Sequence, residues 1–215
     1  MTLPADGRQA LLDMLTAARV VPVLTITRVE HAVPLARALV KGGVRTLEIT
    51  LRTPVAVEAA KRIVAEVPDA IVGIGTVTQR KELLACMSMG ATFAVSPGST
   101  PDLLAAAAES GFPFLPGIAT ASELMAVQAH GLTTMKFFPA GPAGGIPMLR
   151  ALAGPFPHVR FCPTGGIGDA NAAEWLAEPN VIAVGGSWLT PAAEVEAGNW
   201  DAIAARAERA MRILR

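Results

Sequence analysis

Short runs rich in valine, isoleucine and leucine alternate with alanine-rich segments of helical period from Val20 to the C-terminus. Short apolar runs predict buried strands, and the longer periodic segments predict helices. Eight runs are strand-like: VVPVLTI, RTLEIT, IVGIG, TFAVS, PFLPG, TTMKFF, VRFCPT and VIAVGG. Repeated strand–helix units favour a parallel sheet covered by helices, so we expect a (β/α)8 TIM barrel in a single domain over residues 1–215. A further helix over residues 6–18 is expected to cap the lower end of the barrel.

Several residues have the types and spacing that mark helix ends. Thr53 and Thr100 each precede a proline, which is typical of an N-cap followed by the first helical position. Thr120 and Glu123 have the spacing of a capping box. Glycines that follow helical runs, where a left-handed C-cap is expected, are Gly42, Gly43, Gly90, Gly111 and Gly131. An open doubly wound sheet is the alternative fold, but the segment VLTITRVE after the first strand lacks the glycines of a dinucleotide loop.

The composition indicates a chain with much buried apolar surface, since 52% of residues are hydrophobic and 17% are charged. The net charge is +0, tyrosine is absent and no basic run occurs, so we expect no nucleic-acid partner. The N-terminus, MTLPADGRQALLDML, lacks the regions of a signal peptide. No window reaches the roughly 18 apolar residues of a membrane span, so we expect no membrane partner.

Cysteines and histidines limit the chemistry further. Cys86 and Cys162 are too few for a disulfide framework, so we expect reduced thiols and a cytoplasmic location. His31, His130 and His158 lack the spacing of metal ligands. We therefore expect neither a metal nor another cofactor, and a small molecule as the partner.

Lys136 is the one lysine that a helix surface does not explain. It lies between Met135 and Phe137 in the strand-like run TTMKFF, whereas the other three lysines lie in helical segments with polar neighbours. Desolvation disfavours the ammonium and leaves a neutral amine that can attack a carbonyl. The alternative is a lysine that reaches past its apolar neighbours to a carboxylate partner.

Glu48 places a carboxylate on an otherwise apolar strand, between Leu47 and Ile49. A buried carboxylate at a strand end is suited to proton transfer. The alternative is a structural ion pair, with Arg52 or Lys136 as the nearest candidates. A glutamate beside a reactive lysine fits both descriptions.

Polar residues near other strand ends suggest a site for an anionic substrate, because the chemistry of a β/α barrel lies at the carboxyl ends of its strands. Arg52 and Thr76 together can hold the acid group of an oxo acid, although each also fits an ordinary loop or helix start. PTGGI and VGGS after the seventh and eighth runs can form a phosphate-binding cup. Their polar and glycine positions are Thr164, Gly165, Gly166, Gly185, Gly186 and Ser187.

Six segments, in this order, resemble one family: GGVRTLEITLRT, IVGIGTV, FAVSPG, TTMKFFPA, RFCPTGGI and GGSWL. They are similar to the 2-dehydro-3-deoxyphosphogluconate (KDPG) aldolases, class I enzymes that also act on 4-hydroxy-2-oxoglutarate (KHG). The similarity covers essentially the whole chain. The segment FFPAGPAGGIPML and Pro54 depart from the expected pattern, and the first departure bears on aldehyde preference.

The resemblance implies a metal-independent aldolase of the Entner–Doudoroff pathway that forms a homotrimer. It implies that Lys136 forms a Schiff base with pyruvate and that Glu48 acts as general acid and base through a water. Arg52 and Thr76 would hold the pyruvate carboxylate, and Thr164 would contact the pyruvyl or sugar portion. The residues that would receive the phosphate are Gly165, Gly166, Gly186 and Ser187.

Two other functions remain open at this level. A noncatalytic phosphosugar-binding barrel would use the glycine loops while Lys136 merely pairs with Glu48. A phosphosugar isomerase would also use a glutamate and a lysine, but it usually needs a neutral electrophile such as histidine at a strand end. The sequence leaves open the balance between KDPG and KHG and the epimer preference at C4.

Overall fold

The computed structural model describes residues 5–214, with side chains over residues 7–214, and strands and helices alternate along this part. The strands are β1 (Val20–Leu24), β2 (Thr46–Thr50), β3 (Ile71–Gly75), β4 (Phe93–Val95), β5 (Phe114–Leu115), β6 (Gly117–Ile118), β7 (Thr134–Phe137), β8 (Arg160–Pro163) and β9 (Val184–Gly186). The helices are α1 (Ala5–Ala18), α2 (Ala32–Lys41), α3 (Ala56–Glu66), α4 (Arg80–Ser88), α5 (Pro101–Ser110), α6 (Ala121–Gln128), α7 (Gly145–Ala153), α8 (Ala172–Leu176), α9 (Ala192–Glu196) and α10 (Trp200–Ile213). A 3-10 helix (Val29–His31) precedes α2.

The strands pair in parallel and in an order that follows the chain. One sheet has six strands in the order β5-β4-β3-β2-β1-β9, and another has three in the order β6-β7-β8. Isolated parallel bridges join Phe161 to Val181 and Thr164 to Gly185, which brings β8 beside the segment that ends in β9. The chain is therefore an α/β fold with a strongly curled parallel sheet.

In several strands, neighbouring residues belong to two different hydrophobic clusters. Leu24 and Ile49 belong to a large cluster that also contains the buried faces of the helices. Val21 belongs to a smaller cluster, together with Leu11 and Leu15 of α1. Helix α1 thus packs against the inner face of the curled sheet, as expected for the predicted capping helix.

The fifth strand-like run, PFLPG, forms two short strands rather than one. Pro116 separates β5 from β6, and proline has no N–H group to donate to a neighbouring strand. The N–H of Gly117 instead donates to the buried Ser96 hydroxyl at 3.2 Å. The other seven runs each contain one strand of the structure.

Two of the three predicted helix starts are confirmed. The Thr100 hydroxyl accepts a hydrogen bond from the Leu103 N–H, and Thr120 with Glu123 forms a complete capping box. The prediction for Thr53 is wrong, because α3 begins at Ala56 and the Thr53 hydroxyl donates to the Ile26 carbonyl at 2.6 Å. That hydrogen bond ties the loop after β2 to the loop after β1 instead of capping the helix.

Four of the five predicted glycine caps have positive φ angles: Gly43, Gly90, Gly111 and Gly131. Gly42, in contrast, has a φ of -79°, so the need for glycine at this position has another cause. A Cβ at Gly42 would collide with Ala204 and Ala207 of α10, so its missing side chain permits close packing of α2 against α10.

Within residues 5–214 there is no helix that combines the length and the apolar character needed to cross a membrane.

Candidate active site

A cavity of about 230 Å³ lies at the carboxyl ends of the strands. Residues predicted from the sequence that line it are Arg52, Lys136, Thr164, Gly165, Gly166, Gly186 and Ser187. The remaining lining residues are Val23, Thr25, Phe138 and Ile167. Glu48 and Thr76 do not line the cavity themselves. Glu48 contacts Lys136 and Thr76 contacts Arg52, and both of these partners do line it.

Lys136 and Glu48 form a buried pair at the base of the cavity. The Lys136 Nζ lies 3.0 Å from Oε1 and 3.2 Å from Oε2 of Glu48. The two residues are 3% and 2% exposed. Removing one member of a buried pair leaves the other charge uncompensated, at a cost of about 3–5 kcal/mol. Of the two partners expected for Glu48, the structure selects Lys136 rather than Arg52.

The curvature of the sheet brings these two side chains together from different strands. Glu48 lies on β2, where it is in register with Val23 of β1 and Gly73 of β3. Lys136 lies on β7, in register with Gly117 of β6 and Cys162 of β8. Because β2 and β7 belong to different sheets, the pair spans the interior of the fold.

Gly75 at the end of β3 provides space for the Glu48 carboxylate. A Cβ at Gly75 would collide with Oε1 of Glu48 and would lie only 2.6 Å from its Cγ. Real Cβ atoms do not approach other atoms so closely, so a larger residue would displace the carboxylate. The glycine of the sequence GIGT therefore helps to position Glu48.

One aromatic ring, that of Phe138, lies close to the Lys136 side chain. The Nζ lies 5.4 Å from the centroid of the Phe138 ring, within the range of a cation–π contact. Phe137 points the other way and packs against Phe161 and Trp175. Burial raises the pKa of the neighbouring Cys162 thiol to about 12, so this thiol is protonated at neutral pH.

Arg52 and Thr76 are brought together as predicted. The Arg52 Nε donates to the Thr76 hydroxyl at 3.0 Å, and Thr76 has a φ of 61°. A positive φ is uncommon for threonine, so the loop holds this hydroxyl in a specific place. Within residues 7–214, Arg52 takes part in no ion pair. A guanidinium group beside the cavity without a carboxylate partner is suited to binding an anion.

The PTGG loop has the conformation expected of an anion-binding turn. Gly165 and Gly166 have φ angles of 98° and 79°, which glycine adopts most readily. The Gly165 carbonyl accepts from the Gly141 N–H at 2.9 Å, and the Gly166 carbonyl accepts from the Asn171 side chain at 3.0 Å. In the described part of the chain, the N–H groups of Gly165 and Gly166 donate to no other group. They remain available to an anion beside the VGGS loop.

Thr25 lines the cavity but is not among the residues predicted from the sequence. It follows β1 directly and is exposed at the cavity, where its hydroxyl lies 3.2 Å from that of Thr50. The signal in the sequence is its position, because it is the first polar residue after the apolar run VVPVL. Phe138, which follows β7 directly, also lines the cavity.

The histidines lie away from the cavity lining. His31 is buried against Trp200, and His130 contacts the Ala126 carbonyl on the surface of α6. His158 contacts Gln128 at 2.7 Å. This arrangement does not provide the histidine electrophile that an isomerase usually needs.

Comparisons with known proteins agree with one another. The family model described as "KDPG and KHG aldolase" matches residues 11–206. The chain is 55% identical over 199 residues to a 2-dehydro-3-deoxy-phosphogluconate aldolase of Dickeya dadantii, with 93% of each chain covered. It is 53% identical over 199 residues to the KHG/KDPG aldolase of Escherichia coli K12, again with 93% of each covered.

Solved structures give the same result. The fold is similar to that of KDPG aldolase from Legionella pneumophila, which holds pyruvate as a covalent carbinolamine intermediate. The TM-score is 0.91 at 45% identity, with 93% of this chain and 97% of that chain covered. A KDPG aldolase of Zymomonas mobilis with 3-phosphoglycerate gives a TM-score of 0.89 at 44% identity, with 94% and 95% covered. The chain therefore belongs to the KDPG and KHG aldolase family.

Proposed function

We propose that this protein is a class I aldolase that cleaves 2-dehydro-3-deoxy-6-phosphogluconate to pyruvate and glyceraldehyde 3-phosphate. The observation that carries the proposal is the buried Lys136–Glu48 pair, with 3.0 Å between Nζ and Oε1, at the base of an anion-suited cavity. Proton transfer from the ammonium to the carboxylate gives a neutral amine beside a carboxylic acid. That state provides both a nucleophile and an acid in one contact.

Lys136 performs the covalent steps. Its neutral amine adds to the C2 ketone, and loss of water from the carbinolamine gives a protonated imine. The C3–C4 bond then breaks, its electron pair moves into the imine to form an enamine, and the aldehyde leaves. Protonation at C3 and hydrolysis of the imine release pyruvate and restore the lysine.

Glu48 moves the protons of this cycle. The carboxylate takes the proton of the C4 hydroxyl, directly or through a water, as the C3–C4 bond breaks. The resulting carboxylic acid returns a proton to C3 of the enamine. Its hydrogen-bonding distance to Lys136 also suits proton exchange during formation of the carbinolamine.

The ends of the substrate bind to separate groups of donors. Arg52, whose Nε contacts Thr76, holds the carboxylate next to the ketone, while Thr164 contacts the middle of the substrate. The phosphate binds to the donors of the two glycine loops, which are Gly165, Gly166, Gly186 and Ser187.

Cleavage of 4-hydroxy-2-oxoglutarate to pyruvate and glyoxylate is a second activity that we propose for the same site. This molecule has the same oxo acid end and C4 hydroxyl, so the roles of Lys136 and Glu48 carry over. The similarity to the E. coli KHG/KDPG aldolase supports this second substrate. A noncatalytic binding barrel is the alternative that the trapping experiment below excludes or supports.

We also propose that the strands close into an eight-stranded (β/α)8 TIM barrel, in a single domain over residues 1–215. The Lys136 N–H donates to the Pro116 carbonyl at 2.8 Å, and the Ser96 N–H donates to the Leu115 carbonyl at 3.2 Å. The segment that contains β5 and β6 thus contacts both sheets and acts as one interrupted strand. The bridge between Thr164 and Gly185 supports the second join, between β8 and β9.

We further propose that the enzyme is a cytoplasmic homotrimer of the Entner–Doudoroff pathway, as the family resemblance implies. Leu84, Met87 and Met125 are exposed apolar side chains on α4 and α6 and offer surface for a subunit interface. The free cysteines Cys86 and Cys162 support a reducing compartment.

Covalent trapping with pyruvate tests the mechanism. Incubation with pyruvate followed by borohydride reduction should give a stable adduct on Lys136, located by peptide mass spectrometry. Lys136→Ala should lose the adduct, whereas Lys81→Ala, which removes a helix lysine, should keep it. Cleavage of KDPG should also continue in the presence of EDTA. Lack of an adduct under conditions that trap a known class I aldolase would refute the mechanism and favour the binding barrel.

A further inference from the structure

The hydroxyl of Thr25, which lines the active-site cavity, is hydrogen-bonded to the hydroxyl of the buried Thr50 behind it. The Thr50 hydroxyl donates to the Leu24 carbonyl at 3.0 Å, and it lies 3.2 Å from the Thr25 hydroxyl. A hydroxyl has one proton, and a carbonyl can only accept. Since Thr50 uses its proton on Leu24, Thr25 must be the donor in the contact between the threonines. The Thr25 oxygen that faces the cavity is therefore left as an acceptor.

A second cavity, of about 310 Å³, extends this acceptor surface. It lies between the end of β1 and α9 and shares Val23, Thr25 and Ser187 with the active-site cavity. On its wall, the Thr27 hydroxyl donates to Oε1 of Glu196 at 2.9 Å.

Thr190, on the same wall, also donates its hydroxyl proton to an acceptor within the protein. Its hydroxyl donates to the Ser187 carbonyl at 3.4 Å. The threonine hydroxyls of this wall thus have their protons bound to internal acceptors, and Glu196 adds a carboxylate. The part of the wall formed by these threonines and Glu196 accepts hydrogen bonds from hydroxyl groups and disfavours anions, whereas Ser187, at the border of the two cavities, belongs to the phosphate donors.

The two sides of the site consequently have opposite polarity. Arg52 and the N–H groups of Gly165 and Gly166 are donors, suited to carboxylate and phosphate. Thr25 and the adjoining wall are acceptors, suited to the hydroxyl groups of a sugar chain.

We propose that Thr25 is a specificity-determining residue that selects the hydroxylated substrate over the dicarboxylate. The two proposed substrates share carbons C1 to C4 but differ at C5, which carries a hydroxyl in KDPG and is a carboxylate in KHG. The acceptor oxygen of Thr25 receives the C5 hydroxyl proton of KDPG. It has no proton to offer the C5 carboxylate of KHG, and Glu196 repels that carboxylate. This inference rests on the proposed aldolase function.

Thr25→Val is the variant that tests the inference, because it keeps the branched shape and removes the hydroxyl. It should lower kcat/KM for KDPG by about tenfold, the effect expected when a hydrogen bond to a substrate hydroxyl is lost. It should not lower kcat/KM for KHG. Thr25→Ser is the matched control, which keeps the hydroxyl and should retain most of the preference for KDPG.

The comparison of substrates separates recognition from a merely structural effect. An equal loss for both substrates in Thr25→Val would overturn the inference, and so would an equal loss of KDPG cleavage in Thr25→Ser. Trapping of pyruvate on Lys136 should be unchanged in both variants, because pyruvate has no C5. Lack of trapping in the unmodified enzyme would instead refute the proposed function itself, whatever the Thr25 variants do.

Glu196→Gln tests the charge of the acceptor wall separately. The amide keeps an acceptor for the Thr27 hydroxyl but removes the negative charge, so KM for KHG should fall severalfold. KM for KDPG should fall by less, because the donors of the two glycine loops bind its phosphate. Glu194→Gln is the control on the same helix, since Glu194 accepts from Asn199 at 2.7 Å and does not line the cavity. An unchanged KM for KHG in Glu196→Gln would contradict the role assigned to this wall.

Discussion

Gly75 is important at the residue scale because its missing side chain leaves the space that the Glu48 carboxylate occupies. The proposed proton transfers depend on the 3.0 Å contact between Glu48 and Lys136. A methyl group at Gly75 must displace either the carboxylate or its own strand, and both members of the pair are almost fully buried. A single glycine on a neighbouring strand therefore controls the geometry of the catalytic pair.

Gly75→Ala should therefore reduce both activity and stability. Overpacking at a buried position costs about 1–3 kcal/mol of unfolding free energy. Displacement of Glu48 should lower kcat for KDPG cleavage by about a hundredfold, the range of a general acid–base contribution. Urea unfolding and steady-state kinetics measure the two effects.

Gly98→Ala is the control for this substitution, because a Cβ at Gly98 meets no atom within 4 Å. It should change the unfolding free energy by no more than about 0.5 kcal/mol. If Gly75→Ala is as active and stable as Gly98→Ala, the positioning role of Gly75 is wrong.

The sequence revealed most of the candidate site at this scale, since a charged residue inside an apolar strand is conspicuous. Lys136 and Glu48 both have this feature. Their pairing was open, because the distance between β2 and β7 depends on the curvature of the sheet and not on spacing along the chain. Thr25 was missed because a threonine at the end of a strand also fits a β-branched strand residue.

At the scale of elements, the sequence signature of a helix N-cap is reliable where the threonine hydroxyl has no competing hydrogen-bond partner. Thr100 and Thr120 both cap helices as predicted. Thr53 has the same sequence signature, but its hydroxyl donates to the Ile26 carbonyl on a loop that is distant in sequence. The residues beside Thr53 do not reveal that partner, so the tertiary contact overrides the local preference.

Thr120→Ala should destabilise the protein by removing the capping box of α6. The Thr120 hydroxyl accepts from the Glu123 N–H at 3.3 Å, and the Glu123 carboxylate accepts from the Thr120 N–H at 2.9 Å. Loss of an N-cap threonine costs about 1 kcal/mol. A melting temperature lower by about 2–4 °C is expected for a chain of this length.

Thr133→Ala provides the comparison for the capping experiment. Thr133 is exposed, and its side chain makes no hydrogen bond within residues 7–214. Its melting temperature should stay near that of the unmodified protein. Equal melting temperatures for the two variants would show that the capping box of α6 contributes little.

At the scale of the whole molecule, the order of the strands is predictable from the sequence. The contacts that connect the two sheets are not. Alternation of strands and helices implies parallel neighbours in chain order, which the sheets show. The signal of the break at Pro116 is a proline within a strand-like run, but the pairing around it depends on Ser96, which bonds to Leu115 and Gly117, and on Lys136, whose N–H donates to the Pro116 carbonyl. Those contacts depend on the curvature of the sheet, which brings β4 and β7 to opposite sides of this segment.

A long-range ion pair adds a pH-dependent contribution to the stability of the whole fold. Arg150 of α7 donates from Nε to both carboxylate oxygens of Glu178, at 3.1 and 3.0 Å, and from Nη2 to Oε1 at 2.6 Å. The hydrogen bonds from Arg150 lower the pKa of the Glu178 carboxyl below its usual range. A carboxyl with a lower pKa in the folded state stabilises the fold above its unfolded pKa, which is about 4.3.

Glu178→Gln should therefore lower the melting temperature at pH 7 by about 2 °C, which corresponds to less than about 1 kcal/mol in a chain of this size. The difference from the unmodified protein should shrink as the pH falls below about 4.3 and through the lower folded pKa, because Glu178 then becomes neutral in both states. Glu174→Gln is the matched control, since Glu174 lies near Arg150 but forms no hydrogen bond with it. A difference in melting temperature that stays constant from pH 7 to pH 3 would mean that the charge of Glu178 does not contribute, and that the loss comes from altered packing between α7 and the segment after α8.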